Sequence, residues 1–279
     1  MLRLFHWMAR WPLGLLHAFG VALGWLTWAA SPTYRRRIAA NAAQAGYHLA
    51  DVRACIGHAG RMAMETPRLW FGSPVAVTWD VPAQLLEQAY AAGRGIVFMT
   101  PHLGCFEITA QVVGARYLDR YGPITVLFRR ARQPWLAAVI DRSRDRPGLE
   151  TAPATLSGVR QLMRALRRGQ AVGLLPDQVP PDGQGVWSPV FGRPAYTMTL
   201  AARLIQSSGA TPLLAWGERL PHARGFVLHI ERFPEEMSAD LDTAVGQINA
   251  AMERLIRRCP QQYLWGYGRY KTPRPGAAA

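Results

Sequence analysis

Residues 95–107 read Gly95-Ile96-Val97-Phe98-Met99-Thr100-Pro101-His102-Leu103-Gly104-Cys105-Phe106-Glu107. The first six are typical of a strand that is buried on both faces, and a helical pattern begins at Phe106. A strand that leads directly into a helix is the repeating unit of an α/β fold. The turn between them carries a histidine and, five residues later, a glutamate, at the place where such folds keep their binding sites.

His102 and Glu107 form the smallest set of side chains that can take a proton from an alcohol at neutral pH. Inside one helix, an offset of five residues would turn the two side chains roughly 140° apart. They meet only if His102 lies on the turn and Glu107 on the first or second turn of the helix, which the flanking proline and glycine allow. Glu107 would then hold one ring nitrogen and leave the other free as a base. The alternative interpretation is a histidine at a helix start beside an ordinary first-turn glutamate.

The rest of the chain repeats the alternation of strands and helices. Further strands are predicted at residues 124–128, 171–175, 211–216 and 226–230. Helices are predicted at 34–70, with an interruption at Pro67, and at 135–144, 157–168 (capped by Ser157), 198–207 and 241–258. Because strands that are apolar on both faces need cover on both sides, the sequence predicts the α/β class, with a central, mostly parallel sheet flanked by helices.

Three of the predicted strands end in a polar side chain. His102, Arg129 and Asp177 each come shortly after an apolar run. Since parallel strands place their carboxyl ends at one edge of a sheet, these three residues and Glu107 are predicted to converge on one cleft. The alternatives are an ordinary surface arginine at Arg129 and a turn residue after proline at Asp177.

Residues 183–192 are rich in glycine and are predicted to form a loop, either a mobile lid or a flap that faces lipid. The sequence has no phosphate-binding GxxxxGKS/T pattern, no HExxH, no Rossmann glycine set and no GxSxG elbow. These absences count against an NTPase, a zinc protease, a dehydrogenase and a serine hydrolase.

The chain is strongly basic. Its 279 residues include 32 Lys and Arg against 18 Asp and Glu, a net charge of +14, and Lys271 is the single lysine. A GC-rich genome would explain arginine in place of lysine, but not the excess over acidic residues. Anionic partners are therefore predicted: anionic lipid, an acidic carrier protein or nucleic acid.

Cysteine usage indicates a reduced, cytoplasmic setting. Cys55, Cys105 and Cys259 show no CxxC spacing, which counts against a disulfide framework or a zinc site. Cys105 lies between the histidine and the glutamate, and we interpret it as a packed thiol in preference to a nucleophile.

The N-terminal region has the composition of a membrane segment. Residues 11–30 carry no charged side chain and would span about 30 Å as a helix, enough to cross a hydrocarbon core. Tryptophans mark both ends, and arginines flank both sides. We predict a membrane anchor helix at 1–32, a catalytic domain at 33–272 and a flexible tail at 273–279. A surface-lying or re-entrant helix, a cleaved signal peptide and a soluble core helix remain as alternatives.

Several stretches carry a resemblance to a known family. His102 and Glu107, four residues between them, resemble the HX4D/E signature of the glycerolipid acyltransferases. Six further stretches resemble segments of the lipid A biosynthesis acyltransferase family, the late lauroyl and myristoyl transferases of bacteria. They are Arg35-Arg36-Arg37 with Ala40-Asn41, Val126-Leu127-Phe128-Arg129, Pro176-Asp177-Gln178, Phe191-Gly192 with Pro194-Ala195 and Thr197, Pro260-Gln261-Gln262-Tyr263-Leu264-Trp265, and Arg269-Tyr270-Lys271.

The resemblance implies a glycerol-3-phosphate acyltransferase-like fold and O-acyl transfer. A fatty acyl chain would pass from a thioester, on acyl carrier protein, to a hydroxyl of a lipid A precursor. His102 would be the general base, and Glu107 would orient the ring and stabilise the imidazolium. No metal or other cofactor is implied. The setting would be the bacterial inner membrane, with the catalytic domain on the cytoplasmic face, anionic inner-leaflet lipids as partners and no nucleic acid.

The same resemblance implies further site residues. Arg129, or the backbone N–H groups of residues 103–105, would stabilise the oxyanion. Asp177 would be either a second carboxylate on the histidine or an anchor for the polar head of the acceptor. Gln178 would join substrate binding or the oxyanion site.

Two other functions remain open at this point. One is an acyltransferase of the same chemistry that acts on a lysophospholipid, an ornithine lipid or another glycolipid. The other is a non-catalytic, basic, membrane-bound protein or nucleic-acid binder, although the sequence has no RRM, zinc-finger or helix-turn-helix signature.

Overall fold

The computed structural model describes residues 2–128, 133 and 147–274. Its helices are α1 (Leu2–Met8), α2 (Leu13–Ala30), α3 (Pro32–Gln44), α4 (Leu49–Val52), α5 (Ala54–Phe71), α6 (Leu85–Ala91), α7 (Phe106–Tyr121), α8 (Leu156–Arg167), α9 (Leu200–Ser208) and α10 (Leu241–Arg258). Its strands are β1 (Val77–Asp80), β2 (Ile96–Met99), β3 (Ile124–Phe128), β4 (Leu149–Pro153), β5 (Ala171–Leu174), β6 (Gly185–Val190), β7 (Arg193–Met198), β8 (Thr211–Arg219) and β9 (Phe226–Arg232). Short 3-10 turns lie at Pro221–Ala223 and Pro260–Gln262. Arg129 and the helix predicted at 135–144 lie outside the described residues.

A seven-stranded sheet in the order β1-β9-β8-β2-β5-β3-β4 forms the centre of the protein. The five strands from β8 to β4 are parallel to one another. Only the β8–β9 pair is antiparallel in this sheet, and β1 runs parallel to β9. The predicted α/β class with a mostly parallel, helix-flanked sheet is therefore confirmed.

The central strand β2 shows why its sequence is apolar on both faces. Val97 and Met99 belong to a large core on one side of the sheet, whereas Ile96 and Phe98 belong to a second core on the other. Helices α8, α9 and α10 contribute to the first core, and α6 and α7 to the second. Each such buried side chain contributes roughly 1.5–3 kcal/mol to folding, so the loop that follows β2 starts from a rigid support.

The segment predicted as a glycine-rich loop is for the most part a β-hairpin. Strands β6 and β7 pair antiparallel, with Val190 opposite Arg193, so that only Phe191 and Gly192 form the turn. Both turn residues have positive φ, 47° and 76°, as a tight type I′ turn requires. Phenylalanine rarely adopts this conformation, so the residue types gave no hairpin signal.

Two predictions about the helices were wrong. The helices predicted at 34–70 are α3, α4 and α5, but Pro67 lies inside α5 and does not interrupt it. Helix α8 begins after Thr155, and the Ser157 hydroxyl contacts the Thr155 hydroxyl at 2.9 Å in place of capping the helix.

Helix α2 covers most of the uncharged N-terminal stretch. Among the described residues it is the helix that is long and apolar enough to cross a membrane, and 28 % of it is buried inside the protein. Its buried residues His17, Gly20 and Gly24 contact α5.

Candidate active site

The carboxyl ends of β2 and β5 bring His102 and Asp177 together. The two strands are parallel neighbours, and Met99 lies opposite Leu174 in the register. His102 follows Met99 by three residues, and Asp177 follows Leu174 by three. The two residues therefore lie side by side at the carboxyl edge of the sheet. This is where residues that follow parallel strands are expected to lie.

Asp177 binds His102 through both carboxylate oxygens. Oδ1 lies 2.7 Å from Nδ1 of the ring, and Oδ2 accepts the His102 backbone N–H at 2.8 Å. A carboxylate on Nδ1 favours the tautomer that carries its proton there. Nε2 then keeps its lone pair, and the Gln178 amide nitrogen lies 3.0 Å from it. The arrangement is that of a base held at one nitrogen and open to a proton at the other.

The carboxylate of Asp177 is buried and stays negatively charged. Burial alone would raise the pKa of Asp177, but the charge of His102, its two hydrogen bonds and the nearby Arg269 together hold the pKa below its ordinary value. Tyr263 packs against the same carboxylate, and burial raises the pKa of its phenol well above the usual value. Asp177 is therefore ionised at neutral pH and can stabilise a protonated imidazole.

Glu107 lies on the first turn of α7 but does not hold the imidazole. Asp177 and Gln178 occupy the two ring nitrogens, so the predicted bond from Glu107 to the ring is replaced by one from Asp177. Glu107 instead accepts a hydrogen bond from the Trp70 indole at 3.3 Å. The physical reason is register, because Asp177 leaves the neighbouring strand at the same height as His102 and its carboxylate therefore reaches Nδ1.

A mostly apolar cavity of about 320 Å³ adjoins this site. It lies between α1, α5 and the start of α7, and Glu107, Trp70, Phe5 and Phe106 are among its lining residues. The Phe106 ring also contacts the His102 ring, with centroids 5.0 Å apart. An apolar cavity with few polar groups in its wall has the character of a site for an apolar ligand.

The backbone of the loop between β2 and α7 is held by its own hydrogen bonds. Three consecutive N–H groups each donate to a carbonyl oxygen: Leu103 to Pro101 at 2.7 Å, Gly104 to Gln262 at 3.0 Å and Cys105 to Gly217 at 2.7 Å. The prediction that these groups form an oxyanion site is therefore wrong, because none of the three is available to a substrate. Their role is to fix the loop that carries the histidine.

Comparison with known proteins identifies the family of the chain. The family model described as "Bacterial lipid A biosynthesis acyltransferase" matches residues 48–272, which include the histidine and both carboxylates. The chain belongs to this family of acyltransferases. The predicted enzyme class, an acyltransferase, is therefore confirmed.

Individual relatives of this acyltransferase are distant but cover most of its length. The "Lipid A biosynthesis palmitoleoyltransferase" of Escherichia coli strain K12 is 27 % identical over 217 residues, covering 76 % of this chain and 69 % of the relative. The "Lipid A biosynthesis lauroyltransferase" of the same strain is 27 % identical over 222 residues, with the same shares covered. A "Lipid A biosynthesis acyltransferase" of Haemophilus influenzae is 22 % identical over 191 residues, 68 % of this chain and 58 % of the relative.

Gly104 is the tightest point of the loop that carries His102 in this acyltransferase. Its φ is +57°, and a Cβ added there would lie 2.0 Å from the Gly217 carbonyl oxygen. Only glycine allows both the left-handed backbone and this approach. The loop is thereby fastened to the end of β8.

A buried ionic network supports the same loop from below. Arg219 donates two hydrogen bonds to Glu65, at 2.7 and 2.8 Å, and a third to the Gly104 carbonyl at 2.7 Å. His17 of α2 contacts the same carboxylate at 2.9 Å. All three side chains are almost fully buried. No local sequence pattern indicates this network, because its members lie far apart along the chain and the Arg219–Glu65 pair is separated by 154 residues.

The C-terminal segment of the acyltransferase closes over the site. Leu264 donates its N–H to the His102 carbonyl at 3.1 Å. Asn41 of α3 donates to the carbonyls of Trp265 and Tyr267, both at 2.7 Å. The segments that carry the family resemblance at residues 35–41 and 260–271 are therefore in contact, and together they hold the loop that carries His102.

Cys105 is a packed thiol, as the sequence analysis interprets it. The side chain is 1 % exposed and carries no disulfide. Burial, and next the charge of Glu65, raise the pKa of the Cys105 thiol well above its ordinary value. A thiol that is neutral and closed off from solvent is a poor nucleophile.

Proposed function

We propose that this acyltransferase moves a fatty acyl chain from a thioester on acyl carrier protein to a hydroxyl of a lipid A precursor. The reaction takes place at the inner membrane, on its cytoplasmic face. The observation that supports the chemistry is the His102 imidazole, bound at Nδ1 by a buried carboxylate and with 16 % of its side chain exposed. The names of the relatives supply lipid A as the acceptor class.

In the first step His102 acts as the general base. The acceptor hydroxyl gives its proton to Nε2 as its oxygen attacks the thioester carbonyl, and a C–O bond forms. The tetrahedral oxyanion then collapses, the C–S bond breaks, and the departing thiolate takes the proton from the imidazolium. Positioned acid–base catalysis of this kind supplies about 10²–10⁴-fold in rate.

Asp177 orients the base and stabilises its charge. Its two contacts with His102 fix both the ring and the backbone of the residue that bears it. An ionised carboxylate at Nδ1 lowers the free energy of the imidazolium that forms when the hydroxyl loses its proton. We therefore assign to Asp177 the orienting role that the sequence pattern assigns to Glu107.

The side-chain amide of Gln178 occupies the position that we propose for the attacking hydroxyl. Its amide nitrogen now lies at Nε2, 3.0 Å away, where the acceptor oxygen has to be. When the acceptor enters, the amide is displaced and becomes a donor for the oxyanion. Arg129, which follows β3, is the second proposed oxyanion donor.

Glu107 lies in the wall of the apolar cavity and is proposed to take part in substrate binding. Its bond from Trp70 fixes a carboxylate at the rim of a space suited to an acyl chain. We assign to Glu107 the binding of a polar group of the acceptor next to the reacting hydroxyl. Loss of this carboxylate is expected to raise the apparent KM for the acceptor, whereas loss of Asp177 is expected to lower kcat.

The proposed donor, acyl carrier protein, has a charge opposite to that of this chain. Acyl carrier protein is acidic, and a net charge of +14 favours its encounter with this enzyme. Such steering depends on ionic strength, so the apparent KM for the donor is expected to rise with added salt while kcat stays constant.

Reconstitution with defined substrates tests the proposal. The purified enzyme is incubated with acyl carrier protein thioesters of several chain lengths and a lipid A precursor, and the product is measured by mass spectrometry. A product heavier by one acyl group is expected. No product with any thioester would contradict the proposed reaction.

The acceptor is tested in cells. Lipid A from a strain that lacks the gene is expected to carry one acyl chain fewer than lipid A from the parent. An unchanged acyl count would contradict lipid A as the acceptor and would direct the search to lysophospholipids, ornithine lipids or other glycolipids.

A further inference from the structure

Large exposed apolar side chains are concentrated at the N-terminus. Of the nine in the described part of the chain, seven lie between residues 4 and 26, and the other two are Leu156 and Trp187. The seven are Leu4, Trp7, Leu15, Phe19, Leu23, Trp25 and Leu26. We call this set the N-terminal apolar face. An exposed face of this kind marks a surface that is covered in the working protein.

Helix α2 has two different apolar faces. Leu16, His17, Gly20 and Gly24 are buried against the catalytic domain. Leu15, Phe19, Leu23 and Leu26, which follow one another at intervals of three or four residues, are exposed. A helix that is apolar all round requires apolar surroundings on every side, and the part of the chain that the structure describes supplies them on one side only.

The buried face of α2 contacts α5 at backbone distance. A Cβ on Gly60 would lie 1.8 Å from the Gly20 carbonyl oxygen, and one on Gly24 would lie 2.1 Å from the Ile56 carbonyl oxygen. The His17–Glu65 contact adds a buried polar bond between the same two helices. Because α5 also carries Arg61 and Arg68, α2 cannot enter the hydrocarbon core end-on without drawing these charges in with it.

Both ends of α2 are fastened to one domain. Before α2, Phe5 stacks on Trp70 with centroids 6.3 Å apart, and Arg68 donates to the Ala9 carbonyl at 3.1 Å. After α2, Ile38 of α3 is fully buried in the main core. A helix that crossed the bilayer would place its two ends on opposite sides of the membrane, where both sets of contacts with one domain are impossible.

The charge around the N-terminal apolar face identifies its partner. The first 50 residues contain no Asp or Glu and five arginines, two before α2 and three after it. These are Arg3, Arg10, Arg35, Arg36 and Arg37, of which all but the half-buried Arg35 are exposed. Basic side chains beside an apolar, tryptophan-containing surface fit the headgroup region of an anionic leaflet.

We propose that α1 and α2 lie flat in the anionic leaflet, with the N-terminal apolar face immersed in lipid, and that α2 does not cross the bilayer. The proposal deepens the proposed function and rests on it for the identity of the membrane. It places the Phe5 end of the apolar cavity at the lipid surface. The acceptor then reaches the histidine from the leaflet in which the enzyme is seated.

Cysteine accessibility tests the topology. Arg10→Cys and Ala39→Cys place single reactive thiols at exposed positions on the two sides of α2. The native cysteines are buried, so the unchanged protein is the control and reacts only after denaturation. Both new thiols are expected to react with a membrane-impermeant maleimide in inverted inner-membrane vesicles and not in spheroplasts. Reaction of Arg10→Cys in spheroplasts, or its protection in inverted vesicles while Ala39→Cys reacts, overturns the proposal.

Flotation with lipid vesicles tests whether the N-terminal apolar face binds the membrane. The double variant Phe19→Glu/Leu26→Glu is compared with Leu156→Glu/Trp187→Glu, which alters equally exposed side chains elsewhere. On vesicles that contain phosphatidylglycerol, the first is expected to bind at least roughly tenfold more weakly and the second like the unchanged enzyme. Equal flotation of the two overturns the proposal. Acyl transfer to an acceptor in detergent micelles is measured in parallel, so that a failure of the proposed reaction is seen separately from a failure of membrane binding.

Discussion

Asp177 holds His102 at two points, the ring nitrogen Nδ1 at 2.7 Å and the backbone N–H at 2.8 Å. One carboxylate thus fixes both the tautomer of the imidazole and the position of the loop on which it lies. The contact joins the ends of two adjacent parallel strands, whose register places both residues at the same height. The pairing of β2 with β5 in the sheet therefore determines the relative positions of His102 and Asp177.

Replacement of Asp177 by asparagine is expected to lower kcat by about 10²–10⁴-fold with a small change in apparent KM. Asparagine keeps the size of the side chain but cannot stabilise the imidazolium, and its amide allows the wrong tautomer. Steady-state transfer at saturating acceptor measures the effect, and thermal unfolding shows whether the fold is kept.

Asp182→Asn is the matched control for that variant. Asp182 is exposed and lies five residues further on, and its carboxylate accepts a hydrogen bond from the N–H of the neighbouring Gly183. Its replacement is expected to leave kcat within about twofold. If Asp177→Asn raised only the apparent KM for the acceptor, Asp177 would be a binding residue and the orienting role would be wrong.

Replacement of Gln178 by glutamate is expected to move the acidic limb of the pH–rate profile to higher pH, by about one unit. A carboxylate next to Nε2 favours the protonated ring, so that more alkaline solution is needed to free the base. A purely structural role for Gln178 would lower the rate equally at every pH. The profile of kcat/KM between pH 5 and 9 distinguishes the two outcomes.

Replacement of Glu65 by alanine is expected to lower the free energy of unfolding by about 3–5 kcal/mol, because Arg219 would remain as a buried, uncompensated charge. Glu231→Ala, which removes a partly exposed partner of Arg254, is the control and is expected to cost about 0–1 kcal/mol. Thermal or denaturant unfolding in detergent gives both values. Equal losses would contradict the structural role of the Glu65–Arg219 pair.

The same pair predicts how stability depends on pH. Burial alone would raise the pKa of Glu65, but the charge of Arg219 and the hydrogen bonds from His17 and Arg219 lower it from 4.5 to about 2. Because the folded pKa lies below the unfolded value, the contribution of Glu65 is fully present above pH 4.5 and is lost as the pH falls toward 2. Glu65→Gln is expected to remove this part of the acid dependence. An unchanged acid limb in this variant would contradict the assignment.

Gly104→Ala is expected to destabilise the catalytic loop far more than Gly93→Ala. Both glycines have positive φ, +57° and +67°, so each alanine carries a backbone strain of roughly 1–2 kcal/mol. Only at position 104 would the new Cβ meet a carbonyl oxygen, that of Gly217, whereas nothing lies within 4 Å at position 93. Melting temperatures of the two variants measure the difference. Equal values would show that the contact with Gly217 does not hold the loop.

The sequence predicted the sheet because its central strands are short, continuous apolar runs. The same runs located His102 and Asp177, since the residue that follows a parallel strand lies at a known edge of the sheet. The sequence pattern led to the choice of Glu107 as the partner of the imidazole, whereas Asp177 holds the ring in the structure. That choice depends on the register of β2 against β5, which local pattern does not contain.

Other features depend on contacts between distant parts of the chain. The Glu65–Arg219 pair has no local signal, because its two members are separated by 154 residues. The β6–β7 hairpin was missed because a phenylalanine occupies the left-handed turn position that asparagine or glycine usually takes. In each case tertiary packing, rather than residue preference, fixes the local conformation.

Acyl transfer by purified His102→Ala protein shows whether the imidazole performs the chemistry. Turnover of acyl carrier protein thioester with a lipid A precursor is expected to fall by at least about 10²-fold, while the melting temperature and binding to anionic vesicles stay unchanged. A variant that keeps near-normal turnover would show that another group takes the proton from the acceptor, and the proposed role of His102 would be wrong.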